Sequence, residues 1–179
     1  MGFFSPAPYH ILSYGTLLGT TVFHTFLSAP LASHTLPRPH FSALMARLFP
    51  LYFTLQTALP AVLALTYPAS KNPFGSPAGL AGVLNRANRW TVLAPLAGAF
   101  LCAVGNLAVV GPRTTRVMEE RRGQEQKDGK NAYDKPPHSV EMAALNRRFS
   151  MLHGISSLLN LGSLVAAVAY GVTLSTRLT

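Results

Sequence analysis

The acidic residues of this chain are confined to one segment, and all six lie between Glu119 and Glu141. Four long runs contain no charged side chain, and they cover residues 1–37, 48–70, 90–112 and 149–176. A helix of about 20 apolar residues crosses a lipid bilayer, so each run is long enough to do so. Because a soluble protein distributes carboxylates over its surface, this charge pattern predicts an integral membrane protein.

The composition agrees with that prediction. Charged residues make up 12% of the chain and hydrophobic residues 49%, whereas about 25% of an ordinary soluble domain is charged. The formal net charge of +9 would suit nucleic acid, but the basic residues flank the apolar runs instead of forming a stripe on a polar face. Such flanking residues set membrane topology and attract anionic lipid. We therefore expect the lipid bilayer as a partner, and no nucleic acid.

The four runs predict an all-α fold, a membrane-spanning four-helix bundle that forms a single domain over residues 1–179. We expect spans at about residues 9–33, 48–68, 90–110 and 149–174. Four spans put both termini on one side of the membrane. Eleven Lys and Arg residues then lie on the opposite side and four on the terminal side. The positive-inside rule places the loop over residues 111–148 in the cytosol and both termini outside it.

Two segments between the spans have distinct patterns. Residues 39–48 place Phe41, Leu44, Met45 and Leu48 at helical spacing, which predicts a short amphipathic helix lying on the membrane surface. Residues 112–138 include a stretch rich in Gly, Lys, Gln, Asp and Pro. That composition is typical of a mobile polar loop.

Polar side chains within the spans are costly in a bilayer and tend to face other helices or water. Their positions by residue count place them in the cytosolic half of the bundle, where we predict a polar cluster. It could be interhelical hydrogen bonding alone, or a shallow cavity for a small ligand or ion. The candidate members are His24, Gln56, Asn106, His153, Ser156 and Asn160.

Small residues recur at four-residue intervals in two spans and indicate close helix packing. The first span contains Gly15 and Gly19, and the third contains Ala94, Gly98 and Cys102, with Asn106 one turn further on. We expect these positions to be helix contacts. The third span and the basic loop are also the places where another membrane protein would bind.

Chemistry beyond packing has few candidates. His24 and His153 could supply axial ligands to haem or part of a copper or zinc site. Only Cys102 could add a thiolate, and no span contains a carboxylate. No Gly-rich phosphate loop, nucleophile elbow or His-Glu-x-x-His motif occurs in the sequence. We therefore expect a non-enzymatic protein without a cofactor, with haem or copper binding as the alternative.

Three segments occur in an order and spacing that point to a known family. The first joins Leu36-Pro37-Arg38 and Phe41 to Leu48-Phe49-Pro50, Tyr52 and Phe53. The second is Asn106 with Gly111-Pro112-Arg113-Thr114-Thr115 and Met118, and the third is Arg148-Phe149 with His153-Gly154, Ser156-Ser157 and Asn160-Leu161-Gly162. Together, over about residues 9–172, they resemble the transmembrane-protein-205-like family of eukaryotic four-span proteins.

The resemblance implies four spans and a location in endomembranes or the cell surface, and it links the chain to tolerance of metal-containing toxic compounds. It implies no enzymatic reaction. Two hypotheses follow. The first is a small transport or tolerance factor, or an accessory subunit of a larger membrane assembly. The second is a metal- or haem-handling bundle that uses its span histidines. The endoplasmic reticulum, another endomembrane or the plasma membrane is the expected location, with a mitochondrial membrane as the alternative.

Overall fold

The computed structural model describes residues 6–69 and 77–178, with side chains up to residue 176. Every regular element in these two ranges is helical, which confirms the all-α prediction. They contain four long helices, and a five-residue helix lies between the second and third of these. We number the helices α1, residues 6–35; α2, Arg38–Leu65; α3, Gly79–Val83; α4, Arg86–Asp128; and α5, Val140–Leu178.

The long helices form a closed bundle. α1 packs against α2, α2 against α4, α4 against α5, and α5 returns to α1. We call the end near residues 6, 65, 86 and 178 the terminal end, and the opposite end, which carries the ionic residues, the charged end. The larger apolar core lies toward the terminal end and includes Leu17, Leu63, Val92, Leu96, Ala167 and Tyr170.

The bundle has an apolar outer surface and polar groups inside. On α5, Leu158, Val165 and Val172 recur every seventh residue and are 61–70% exposed, whereas Gln56 and Asn106 are fully buried. Three helices, α2, α4 and α5, are long and apolar enough to cross a membrane, and α1, with its interspersed Ser, Thr and His residues, is not among them. This arrangement fits lipid as the surrounding solvent, because exposed apolar chains are then stabilised and not penalised.

Prolines shape two of the long helices. Among the described residues, three segments widen to π-helical turns, at His24–Ser28, Arg89–Leu93 and Gly105–Val110. Each ends two residues before a proline, namely Pro30, Pro95 and Pro112. A proline has no N–H and its ring clashes with the carbonyl one turn earlier, so a wider turn relieves the clash while the helix continues. These turns rotate the side chains that precede each proline.

The amphipathic helix predicted over residues 39–48 is helical but not separate. It is the first part of α2, which continues through Pro50 without a break. Met45 is buried and Leu44 is exposed, so this segment packs against its neighbours through one face. Long helices tolerate proline when nearby groups satisfy the freed backbone. The prediction of an independent surface helix is therefore corrected.

The polar loop predicted over residues 112–138 is also much shorter in the structure. Residues 111–128 continue α4 as a helix that ends at Gly129, whose φ of +62° is the left-handed conformation that glycine favours at a helix end. Ser139 then caps α5 by accepting from the N–H of Met142 at 3.1 Å. The connection is thus limited to residues 129–139, and Ser139 also donates to the carboxylate of Asp128 at 2.6 Å.

Residues 38–47, 111–128 and 140–148 together extend the bundle beyond its apolar part, and we call them the charged stalk. Val117 and Met142 are fully buried within it. Glu120 bridges two arginines, Arg116 at 3.2 Å and Arg148 at 3.3 Å, and the second of these pairs joins α4 to α5. The stalk therefore has its own small core and is a folded extension of the bundle.

We predict that hydrogen exchange will distinguish this stalk from a loop. Backbone amides of residues 115–127 should exchange slowly because each donates within a helix, whereas residues 133–138 should exchange faster. Mass spectrometry of protein in mild detergent measures both segments in one experiment. Equal, rapid exchange over the whole of residues 113–138 would contradict the helical extension.

Candidate functional site

A network of polar side chains crosses the interior of the bundle. Tyr52 on α2 donates to Oδ1 of Asn160 on α5 at 2.6 Å, and Gln56 donates to the same oxygen at 3.0 Å. Gln56 also donates to Thr21 on α1 at 3.1 Å. Asn160 in turn donates through Nδ2 to Thr25 on α1 at 2.7 Å. These side chains connect α1, α2 and α5, and we call them the polar network.

The direction of each hydrogen bond fixes the orientation of both amides. Thr21 donates its hydroxyl hydrogen to the carbonyl of Leu17 at 2.7 Å, so its oxygen accepts from Gln56. Tyr52 donates to Asn160, so the Tyr52 oxygen likewise accepts from Gln56, at 2.8 Å. The Nε2 group of Gln56 therefore points toward its acceptors, and its Oε1 atom points elsewhere.

Two of the π-helical turns carry polar residues into this interior. His24 begins the first of them and is buried against Phe49 and Tyr52, with ring centroids 5.1 and 4.5 Å away. Asn106 lies in the turn at Gly105–Val110 and donates to the backbone carbonyl of Ser156 at 3.3 Å. Wide turns of this kind are frequent at functional sites, and here they add a residue from α4 to a site formed by the other three long helices.

Several buried polar atoms in and beside the network have no hydrogen-bond partner. A buried acceptor left unpaired costs about 1–3 kcal/mol, and such atoms in native proteins are usually satisfied by water, an ion or a ligand. Each of the four residues that carry such an atom is less than 10% exposed. The atoms are Nε2 of His24, Oε1 of Gln56, Oδ1 of Asn106 and Oγ of Ser163.

The structure brings together four of the six predicted cluster residues: His24, Gln56, Asn106 and Asn160 surround the same interior. Ser156 contributes its backbone carbonyl. His153 does not belong to the cluster, because its side chain is exposed and stacks on Phe149 with the rings 5.9 Å apart. That position corrects the prediction for His153.

The proposed pairing of His24 with His153 has no geometric support. His24 is buried among aromatic rings, whereas His153 lies on the outside of α5. Over residues 6–69 and 77–178, no group of three or more His, Cys, Asp or Glu side chains is placed to hold a metal ion. Cys102 packs against Gly162. Among the described residues it does not form a metal-ligand group with either histidine.

Small residues on α4 do form a close contact with α5, but those of α1 do not. A Cβ atom built on Gly98 would lie 3.9 Å from Ala166, and one built on Gly162 would lie 3.1 Å from Sγ of Cys102. Gly15 and Gly19 have open space in place of a neighbour, and Ala94 is exposed. The predicted packing positions are therefore helix contacts at Gly98 and Cys102 of α4, but not at Ala94 or in α1.

A second polar group lies at the terminal end of the bundle and is centred on His10. His10 is fully buried, and its ring nitrogens lie 2.6 Å from the hydroxyl of Tyr170 and 3.0 Å from that of Thr66. The ring of Tyr67 packs edge-on against it at 6.3 Å. His10 therefore joins α1, α5 and the end of α2. Its position near the start of a span hid this role from sequence reasoning.

We predict that His10→Phe will lower the free energy of unfolding by about 1 kcal/mol, because two interhelical hydrogen bonds of about 0.6 kcal/mol each are lost. Thermal unfolding in detergent measures the effect. His34→Phe is the matched control, since His34 is exposed on the same helix and its replacement should be nearly neutral. Equal stability of the two variants would mean that the hydrogen bonds of His10 do not stabilise the contact between α1, α5 and the end of α2.

The fold and its interior define a helical membrane bundle with a buried polar network. A family model described as a domain of unknown function, DUF4149, matches residues 12–123, and this chain belongs to that family. It is similar to xanthocillin biosynthesis cluster protein D of Aspergillus fumigatus, with 34% identity over 171 residues, which cover 96% of this chain and 90% of the relative. No solved structure matches the chain.

Proposed function

We propose that this protein is a non-enzymatic accessory membrane protein, acting as a small transport or tolerance factor for a small molecule. The observation that carries the proposal is the buried polar network with its unpaired acceptors, enclosed by helices whose outer surface is apolar. Polar groups within a membrane bundle are expensive, and they commonly mark the path or site of a substrate. The network supplies such a site without a nucleophile or a carboxylate.

The relative from Aspergillus fumigatus supports an accessory role. The name of the Aspergillus fumigatus protein assigns it to a biosynthesis cluster, and we carry over only the idea of a membrane function that accompanies production of a small molecule. The resemblance to the transmembrane-protein-205-like family supports tolerance as the form of that function. We propose that a cell containing this protein retains or excludes a toxic or diffusible compound through it.

A cellular experiment tests this proposal. The native gene is disrupted, and the cells are supplied with wild-type protein, a Gln56→Leu/Asn160→Leu double variant, or Ser157→Leu as a lipid-facing control. Growth on a panel of toxic metal compounds and on extracts of the cell's own products is measured at matched protein levels. Wild type and the control should restore tolerance and the double variant should not. If the double variant restores it fully, the network has no part in the function.

For the membrane topology, we propose four spans with both termini outside the cytosol and the charged stalk inside it. An endomembrane or the plasma membrane is favoured, and a mitochondrial membrane is the alternative. A fluorescent fusion imaged in the native cell identifies the membrane. A cysteine introduced at Lys127 in a Cys102→Ala background, reacted with an impermeant maleimide, tests the side: labelling only after access to the cytosol supports the proposed orientation.

We further propose that the protein works without a resident metal or haem. The alternative, a metal- or haem-handling bundle, has His24 as its remaining buried candidate ligand among the two histidines first considered. A visible absorption spectrum and elemental analysis of the purified protein test this point. A Soret band, or stoichiometric metal that is lost in His24→Ala and retained in His34→Ala, would favour the alternative.

A specific observation also favours a role as a subunit. The charged stalk is folded and carries exposed ionic side chains beyond the apolar part of the bundle, so it offers a rigid surface to another protein. Purification in mild detergent with the stalk intact should then recover a partner, and reversing charges at Arg113 and Arg147, both exposed, should release it. Recovery of the same partner with both arginines reversed would exclude the stalk as the contact.

A further inference from the structure

We propose that the outer face where α4 meets α5, at the base of the charged stalk, binds the phosphate headgroup of an anionic phospholipid. Arg113, Arg116 and Arg148 form the headgroup site, and exposed apolar side chains of both helices continue from it toward the terminal end. This inference goes beyond the proposed role in tolerance. It depends on the bundle lying in a bilayer, and not on the polar network.

One glutamate holds two of these arginines on the same face. Oε1 of Glu120 accepts from Nε of Arg116 at 3.2 Å, and Oε2 accepts from Nη1 of Arg148 at 3.3 Å. Because two guanidinium groups share this carboxylate, it does not neutralise both of them. Arg113 lies three residues before Arg116, so it is on the same side of α4 and one turn closer to the apolar part.

The charges are ordered along the axis of the bundle. On α4, Arg113 and Arg116 come before the first carboxylate, Glu119. On α5, which runs in the opposite direction, Glu141 lies seven residues farther from the apolar part than Arg148 does. The arginines are therefore nearest the level at which lipid headgroups meet an embedded bundle. The carboxylates, which anionic lipid repels, lie farther into water.

The arginine side chains are available to a phosphate. Those of Arg116 and Arg148 are 81% and 58% exposed, and exposed ion pairs of this kind contribute little. Arg113 is also exposed and forms no ion pair within the described ranges. Arginine holds phosphate oxygens through two parallel N–H groups, whereas lysine acts as a point charge. The lysines of the charged end lie farther out, at residues 127, 130 and 135.

Exposed apolar side chains continue directly from the arginines and favour a lipid over a free anion. On α5, Met151 and Ile155 follow Arg148 at spacings of three and four residues, which places them on the same side of the helix. They are 59% and 41% exposed. On α4, Val109 is one turn before Arg113 and is 42% exposed. A phospholipid can contact the arginines with its phosphate and these side chains with an acyl chain, whereas free phosphate would contact the arginines alone.

Native mass spectrometry of the purified full-length protein in detergent tests the site. Dioleoyl phosphatidic acid, whose headgroup is a bare phosphate, is titrated and compared with dioleoyl phosphatidylcholine. Wild type should bind phosphatidic acid about tenfold more tightly or better. Replacing all three arginines with glutamine should weaken that binding about 100-fold, since each basic residue near a lipid surface contributes about fivefold. Binding of phosphatidylcholine should not change.

Replacing Lys127, Lys130 and Lys135 with glutamine is the matched control, because it removes the same charge. Lys127 is eleven residues beyond Arg116 on α4, about 16 Å along a helix, so in about 0.1 M salt its charge is largely screened from the site. Affinity for phosphatidic acid should stay at the wild-type value. Equal weakening by both triple variants would overturn the proposal. So would equal affinity of the wild type for the two lipids, a result that needs no variant.

Inorganic phosphate distinguishes a lipid site from a site for a free anion. It should not displace phosphatidic acid at equal concentration, and displacement under that condition would overturn the assignment to lipid. The Gln56→Leu/Asn160→Leu variant should bind phosphatidic acid as the wild type does. Because tolerance is scored in cells and lipid binding on the purified chain, a failure of this inference and a failure of the proposed function are separate results.

Discussion

Replacing Asn160 with leucine should lower the free energy of unfolding by about 2 kcal/mol. The side chain accepts from Tyr52 and Gln56 and donates to Thr25, so one substitution removes three interhelical hydrogen bonds. Such bonds contribute about 0.6 kcal/mol on average in a membrane protein. The two amide hydrogens of Gln56 keep two acceptors after the change. The buried Tyr52 hydroxyl loses its acceptor, at a cost of about 1–3 kcal/mol, which keeps the total near 2 kcal/mol.

Ser157→Leu is the matched control for that experiment, because Ser157 lies on the exposed side of the same helix and donates only to the carbonyl of His153. It should unfold with the wild-type free energy or slightly above it. Both variants can be compared by unfolding in mixed detergent micelles with increasing sodium dodecyl sulfate. If Asn160→Leu is as stable as Ser157→Leu, the polar network does not hold the helices together.

Gly162→Leu should have the larger effect on stability, a loss of about 3 kcal/mol. A Cβ atom at this position already meets Sγ of Cys102 at 3.1 Å, and a branched side chain would have to separate α4 from α5 at this contact. Overpacking of a tight interface costs about 1–3 kcal/mol. The upper end applies because the neighbouring contact of Gly98 with Ala166 would open as well.

Gly154→Leu separates this steric effect from the helix preference of leucine. Gly154 lies on α5 with no atom within 4 Å of an added Cβ, so the same substitution should stabilise the helix by a few tenths of a kcal/mol, since glycine is a poor helix former. The same sodium dodecyl sulfate titration measures both variants. A Gly162→Leu protein as stable as Gly154→Leu would mean that the two helices are not in close contact there.

The uncharged runs were sufficient to predict the helices of the bundle, since runs of that length and composition have few alternatives. They did not predict where the helices stop. Residues 111–128 contain Glu, Arg, Gln and Lys, which are good helix formers, and no proline follows Pro112 until Pro136. Polar composition alone cannot separate a solvated helix from a loop, and the αL conformation of Gly129 marks the true end.

The polar network was predicted in part because Gln56, Asn106 and Asn160 have no other reason to occur within apolar runs. His153 was misplaced because residue count places a side chain along a span but does not fix its surroundings. In the structure its ring stacks on Phe149 and is exposed. Tyr52 was missed because an aromatic residue in a span is more often read as packing than as a hydrogen-bond donor.

The π-helical turns were beyond sequence reasoning, although the prolines that accompany them were visible. Pro50 lies within a regular helix, whereas Pro30, Pro95 and Pro112 each follow a widened turn. Which response a proline produces depends on whether neighbouring helices leave room for the wider turn. That is a property of packing, so the widened turns at His24 and Asn106 required the structure, although both residues were predicted members of the polar cluster.

The central claim is that lipid surrounds this bundle, and Trp90 allows it to be tested without any substitution. It is the single tryptophan of the chain, it is 79% exposed, and it lies at the start of the third apolar run, where aromatic residues typically sit at the membrane surface. Its fluorescence therefore reports directly on the solvent at that position.

The decisive measurement is quenching of Trp90 fluorescence in vesicles made with brominated phosphatidylcholine. Bromines placed near the headgroup should quench the emission strongly, and bromines near the end of the acyl chain should quench it less. Aqueous iodide should have a smaller effect than on free tryptophan. Emission that iodide quenches as fully as that of free tryptophan, and that neither brominated lipid changes, would place this surface in water and contradict the membrane bundle.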